Sequence, residues 1–149
     1  HTNDAPSTIT RLQNMGTPDY LISAACQLVV AQRLARKNCK KCKIPDDDVN
    51  PKVLQDLGFS AEQASRVKAI KGKGCETCSN TGYKGRQGIY EILVVSKPLK
   101  EAILRKATTP ELRQIAVKEG FQTMQDMGKR LIASGDLNFR EYDRVLSNE

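Results

Sequence analysis

The chain has 149 residues, 39% of them hydrophobic, with no tryptophan and three phenylalanines, so its core must be aliphatic. That length suffices for one core, or for one core and a metal-stapled lobe. A formal net charge of +7 suits an acidic partner such as nucleic acid, anionic lipid headgroups or nucleotide phosphates.

In chain order, Pro6-Ser7-Thr8 opens an apolar pattern through Ile9 and Leu12, a short helix that Gly16 stops. Thr17-Pro18-Asp19 then leads into what the periodicity reads as the longest helix, Tyr20 to Lys37. Leu21, Ala25, Leu28 and Ala35 fall on one face, flanked by Ile22, Val29 and Val30. Arg33, Arg36 and Lys37 in its last turns complement the helix dipole. Cys26, inside this pattern, reads as a buried small hydrophobe.

Farther on, Ile44-Pro45-Asp46-Asp47-Asp48 is an acidic, turn-rich break. Asn50-Pro51 starts a helix that Leu57-Gly58 ends, and Ser60 with Gln63 forms a capping box for a second one toward Ala69. Gly74, Gly82, Gly85 and Gly88 mark tight turns. Ile89 to Val95, β-branched and aromatic, is the one clear strand. Helices follow from Ser96 toward Lys106, from Thr109 to Gly120, from Thr123 to Gly135, and from Asn138 to Leu146.

Chemistry concentrates in Cys39-Lys-Lys-Cys42 and Cys75-Glu-Thr-Cys78. Two CxxC pairs supply four thiolates, the number a tetrahedral structural Zn²⁺ site needs. Zinc-ribbon inserts run to about 15–20 residues, so the longer insert here must carry structure of its own. Two disulfides or a redox dithiol are the alternatives, and each needs a context the chain does not supply. Lys37, Lys40, Lys41 and Lys43 surround the first pair, either offsetting the negative charge of the centre or forming a nucleic-acid patch. No stretch reaches the ~18–20 apolar residues that span a bilayer, and Leu21 to Ala31, the longest candidate, is broken by Gln27. Without a signal peptide, reduced cysteines suit a cytosolic compartment.

Other catalytic material is thin. The single histidine is His1, and no GxxxxGK[ST] loop is present, so this chain alone is expected not to hydrolyse a nucleotide. Starting on His1 rather than Met, it is expected to be a piece of something longer.

Several stretches carry a resemblance. His1-Thr-Asn-Asp-Ala5, Thr10-Arg-Leu12 and Asn14-Met-Gly16 are similar to the His-box segment of secretion-type hexameric ATPases. The match continues in order through Ala31-Gln-Arg-Leu-Ala35, both CxxC pairs, Thr81 to Glu91, and Gly120 to Val145. Within that superfamily the chain most resembles the type IV pilus assembly (extension) ATPases, with the type II secretion ATPases second. The resemblance implies the carboxy-terminal portion of an α/β P-loop, RecA-like motor. This piece is mainly helical, with a short β-strand region and a tetracysteine zinc lobe.

Three segments are expected on that basis: 1–37 as the end of the motor core, 38–88 as the zinc lobe, and 89–149 as a core strand with a carboxy-terminal helical subdomain. Cys39, Cys42, Cys75 and Cys78 correspond to ligands of a structural Zn²⁺. His1 corresponds to the His-box histidine near the γ-phosphate, although in the chain alone it is expected to be an ordinary exposed end. ATP and Mg²⁺ belong to the full-length motor. Its partners would be copies of itself in a hexamer and an inner-membrane platform protein. Its place would be cytoplasmic, peripheral to the inner membrane.

Arg86, between Gly85 and Gly88, has two readings: a cation approaching nucleotide, or a solvated turn residue pairing with a carboxylate such as Glu91. The second is favoured. A zinc-ribbon nucleic-acid binder is the competing function. No aromatic residue clusters with the lysines to stack bases, so nucleic acid is not expected as a partner.

Overall fold

The computed structural model describes residues 2–147. Among them are eight α-helices, one 3-10 turn and two small two-stranded sheets. The chain divides into two compact units, each assembled from two stretches: His1–Gln32 with Tyr90–Met124, and Arg33–Ile89 with Gln125–Glu149.

The first unit is mostly helical. α1 (Ala5–Asn14) is capped by Asp4, whose carboxylate accepts the Ser7 N–H at 2.8 Å. α2 (Asp19–Ala25) is short. α5 (Lys97–Leu104) and α6 (Thr109–Lys118) each place Pro in the first turn, and Thr108 and Glu111 close a capping box on α6. α2 packs on α5, and α6 packs on both α1 and α5. Ile9, Ile22, Leu93, Leu99, Ala102, Ile103, Leu112 and Ala116 are buried, giving the aliphatic core that composition requires.

The helix expected from Tyr20 to Lys37 does not form. α2 ends at Ala25, Cys26 is extended, and β1 (Leu28–Asn38) replaces the rest. Burial alternates along β1, with Val29, Ala31 and Ala35 inward and Leu28, Val30 and Leu34 about half exposed. Leu28-Val-Val-Ala satisfies a period of two as well as it satisfies a helix. Pairing with β4 (Tyr83–Val94), distant in sequence, decides between them. Cys26 is accordingly a half-buried residue at the end of α2, not a helix-core hydrophobe.

In the second unit, β2 (Lys43–Pro45) and β3 (Ile70–Gly72) pair antiparallel, with Lys43 opposite Gly72 and Pro45 opposite Ile70. Between them stand α3 (Pro51–Asp56), capped by Asn50, and α4 (Ala61–Arg66), with the Ser60–Gln63 capping box. α3 and α4 pack together, and Leu54 and Ala64 are buried. Neither β2, which runs into the stretch read as an acidic turn, nor β3 was anticipated, and β4 begins six residues before the expected strand at Ile89. Gly85 and Gly88 therefore lie within a strand rather than in tight turns.

α7 (Met124–Ser134) and α8 (Phe139–Leu146) complete the chain. A Cβ at Gly128 would meet Leu146 Cδ1 at 2.4 Å, so glycine is what lets α8 lie close against α7. Glu141, fully buried, holds α8 to β1. It accepts the Arg36 backbone N–H at 2.8 Å, pairs with the Arg36 guanidinium at 2.9 Å, and also pairs with Arg144. Arg33 Nη1 donates to the Val145 carbonyl at the other end of α8, at 2.6 Å.

Candidate metal centre

The four paired cysteines converge. Their Sγ atoms all lie within 4.8 Å of one another, with Cys39–Cys75 at 3.8 Å, Cys42–Cys78 at 3.9 Å and Cys75–Cys78 at 3.7 Å. A disulfide requires about 2.05 Å, so these are free thiols. Four sulfurs at about 2.3 Å from one tetrahedral ion stand about 3.8 Å apart, close to the spacing of these three pairs. The set fits a metal ion with no rearrangement of the backbone.

The fold explains the convergence. The β2–β3 ladder returns the chain, so that Cys42, just before β2, and Cys75, just after β3, leave the same end of one ribbon. Backbone bonds then lace the two knuckles: Lys73 N–H to the Cys42 carbonyl and Cys39 N–H to the Gly82 carbonyl, both 2.9 Å. Gly72 and Gly82 cross at a distance no side chain permits, since a Cβ on Gly72 would lie 2.0 Å from the Gly82 oxygen. Asn38, buried beside Cys39, donates its amide to the carbonyls of Ile70 and Gly135 at 3.1 and 3.0 Å. Sequence reasoning missed Asn38 and the β2–β3 pair. The glycine pattern at Gly72 and Gly82 was the available signal for the crossing.

Electrostatics points the same way. Backbone N–H groups of Gly74, Cys75 and Gly82 aim at sulfur: Gly74 at Cys42 (3.3 Å), Cys75 and Gly82 at Cys78 (both 3.2 Å). Burial pushes the Cys78 thiol up, but those N–H bonds and its neighbouring thiols outweigh burial and lower it to about 6. Cys42 goes the other way: burial and three neighbouring thiols overcome the Gly74 N–H and push it up to about 11. Four sulfurs at this spacing cannot all carry charge unaided, and a divalent cation relieves that repulsion. Of the surrounding lysines, Lys43 pairs with Asp136 at 3.5 Å, while Lys40 and Lys41 are exposed.

The other candidate residues do not join this site. His1 lies outside the described residues. Arg86 is exposed on β4, with no ion pair among the described residues. Glu91 is not its partner, because both Glu91 oxygens accept helix N–H groups: Ala5 at 2.5 Å and Met124 at 3.0 Å. Cys26 is not one of the four clustered thiols.

Four converging thiols on a small helix-and-ribbon unit form a site that could hold a metal ion. The chain belongs to the Type II/IV secretion system protein family, which matches residues 1–144. It is 37% identical over 141 residues to the type IV pilus assembly ATPase PilB of Myxococcus xanthus, covering 95% of this chain and 25% of that protein. With the Thermus thermophilus PilB it shares 41% over 128 residues, covering 86% and 14%. The type II secretion system protein HxcR of Pseudomonas aeruginosa is 34% identical over 145 residues, covering 97% and 27%. The chain thus spans about a quarter or less of the length of these relatives. Among the described residues no helix is long and apolar enough to cross a membrane.

Proposed function

We propose that this chain is the carboxy-terminal portion of a hexameric, RecA-like P-loop ATPase that powers type IV pilus assembly. The observation that carries the reading is its similarity, over nearly the whole chain, to type IV pilus assembly ATPases of several bacteria. The sheet supports a larger motor. Leu28 and Val30 of β1 and Tyr90, Ile92 and Val94 of β4 leave an apolar face 43–62% exposed. A lone two-stranded ribbon is marginal in water, whereas the same strands are well placed as the margin of a larger sheet.

In that motor ATP and Mg²⁺ are bound mainly by residues outside this chain. His1 approaches the γ-phosphate, and Arg86, exposed and cationic, lies in the nucleotide's vicinity. Cys39, Cys42, Cys75 and Cys78 hold one Zn²⁺. Zinc with four thiolates has no open position for water, so its role is to cross-link. The segments 1–37, 38–88 and 89–149 serve as motor end, zinc lobe and helical subdomain. Partners are other copies of the subunit and a platform protein of the inner membrane, met from the cytoplasmic side. Similarity to HxcR keeps type II secretion as the second reading.

The full-length protein is expected to hydrolyse ATP, and His1→Ala in it to lower turnover without unfolding. The 149-residue chain alone should give no turnover above background; turnover by it would overturn the division of labour proposed here. In the source organism, a deletion strain that loses surface pili but still secretes supports pilus assembly, and the reverse phenotype supports type II secretion.

A further inference from the structure

Glu91 is 2% exposed on the inward face of β4, and no cation partners it among the described residues. Arg113 of the same unit pairs with Asp4. The Glu91 carboxylate instead joins two helix N-termini, accepting the Ala5 N–H of α1 and the Met124 N–H of α7. Each N-terminus carries about half a positive elementary charge, so the pair supplies about one charge to one carboxylate. A buried charge compensated only by fixed backbone dipoles is rigid, because neither partner has a rotamer to change.

We propose that Glu91 is a positioning residue for the nucleotide site, and this rests on the reading of His1 given above. By holding the first N–H of α1, Glu91 fixes the segment 2–5 that immediately follows His1. The same segment is tied locally: Asp4 accepts the Ser7 N–H, and Thr8 Oγ1 donates to Thr2 Oγ1 at 3.0 Å. Those bonds keep the helix cap intact, and Asp4 also pairs with Arg113 of α6, an ion pair partly open to solvent. Glu91 supplies the buried tie, anchoring the cap to a strand whose neighbours Ile89 and Leu93 are buried. A histidine acting at a phosphate must be placed to a fraction of an ångström, and loss of the anchor costs alignment before it costs folding.

The test uses full-length protein carrying Glu91→Gln, which keeps the size but turns an amide NH₂ toward one of the two N–H donors. Ser96→Ala, which removes the α5 cap in the same unit, serves as a stability control. The expected result for Glu91→Gln is a fall in kcat of about tenfold or more with KM changed less than about twofold, while Ser96→Ala leaves kcat near wild type at a comparable loss of Tm. Amide exchange at residues 2–5 should quicken in Glu91→Gln and not in Ser96→Ala. Where the Gln variant fails to fold, Glu91→Asp, with both oxygens withdrawn by one methylene, takes its place. An unchanged kcat, equal losses in both variants, or unchanged exchange at residues 2–5 would overturn the proposal. A wild-type protein without ATPase activity would defeat the functional reading instead, and the exchange comparison would still decide whether Glu91 anchors this segment.

Discussion

The two compact units each bury one glutamate, and they neutralise it by opposite means. In the first unit Glu91 is held by backbone N–H groups of two helices inside an aliphatic core of Ile9, Leu99, Ile103 and Leu112. In the second, Glu141 is held by Arg36 and Arg144, whose side chains are 49% and 55% exposed, and the same unit gathers four sulfurs. One unit rests mainly on packing and fixed dipoles; the other rests on charges and on a thiol cluster that could hold a metal ion. The second should therefore answer to chelators, which the first should not, and more strongly than the first to pH and salt, where the first unit offers the Asp4–Arg113 pair.

Metal removal should separate them most. Structural zinc in small peptides contributes roughly 10–16 kcal/mol of apparent binding energy, comparable to the stability of a whole domain. Chelation or Cys75→Ser should abolish amide protection from about Asn38 to Gly88 while α5 and α6 keep theirs, as read by hydrogen exchange. Cys26→Ala should leave metal content unchanged, because its thiol is not one of the four.

Gly72→Ala comes next. Its Cβ would sit 2.0 Å from a backbone oxygen that cannot rotate away. We expect a loss of about 3 kcal/mol or more, with weakened metal retention, measured by denaturation and competition with a chelator.

Glu141 gives a smaller, pH-dependent effect. Burial raises its carboxyl, but the bonds from Arg144 and Arg36 prevail and hold it down at about 2, against an ordinary 4.5. A carboxyl depressed in the folded state stabilises above its unfolded value and loses that contribution as pH falls from about 5 through about 2. Allowing for screening of two half-exposed guanidiniums, about 2 kcal/mol is at stake. Glu141→Gln should remove that acid dependence from the second unit's unfolding, and an unaltered profile would break the comparison. Ser60→Ala, the α4 cap, should cost about 1 kcal/mol and affect only the insert.

Much of this was legible in the sequence because it was written locally. Asp4, Asn50, Ser60, Ser96, Thr108 and Asn138 accept N–H groups three residues on, so six helix starts follow from short-range chemistry. The CxxC spacing announced the thiol cluster in the same way. What failed was non-local. β1 read as helix because Ala and Leu at helical spacing say nothing of β4, more than 40 residues later. β3 is three residues long, and only its partner β2 makes it a strand. Glu91 looked like a surface counter-ion for Arg86, since nothing near it in sequence shows two helix N-termini arriving from residues 5 and 124.

X-ray absorption on the full-length protein, purified without added metal, tests the central claim most directly. The account predicts one zinc per chain with four sulfur ligands at about 2.3 Å, and no nitrogen or oxygen in the shell. A metal-free protein whose insert is nonetheless ordered, or a zinc shell mixing sulfur with nitrogen or oxygen, would contradict it.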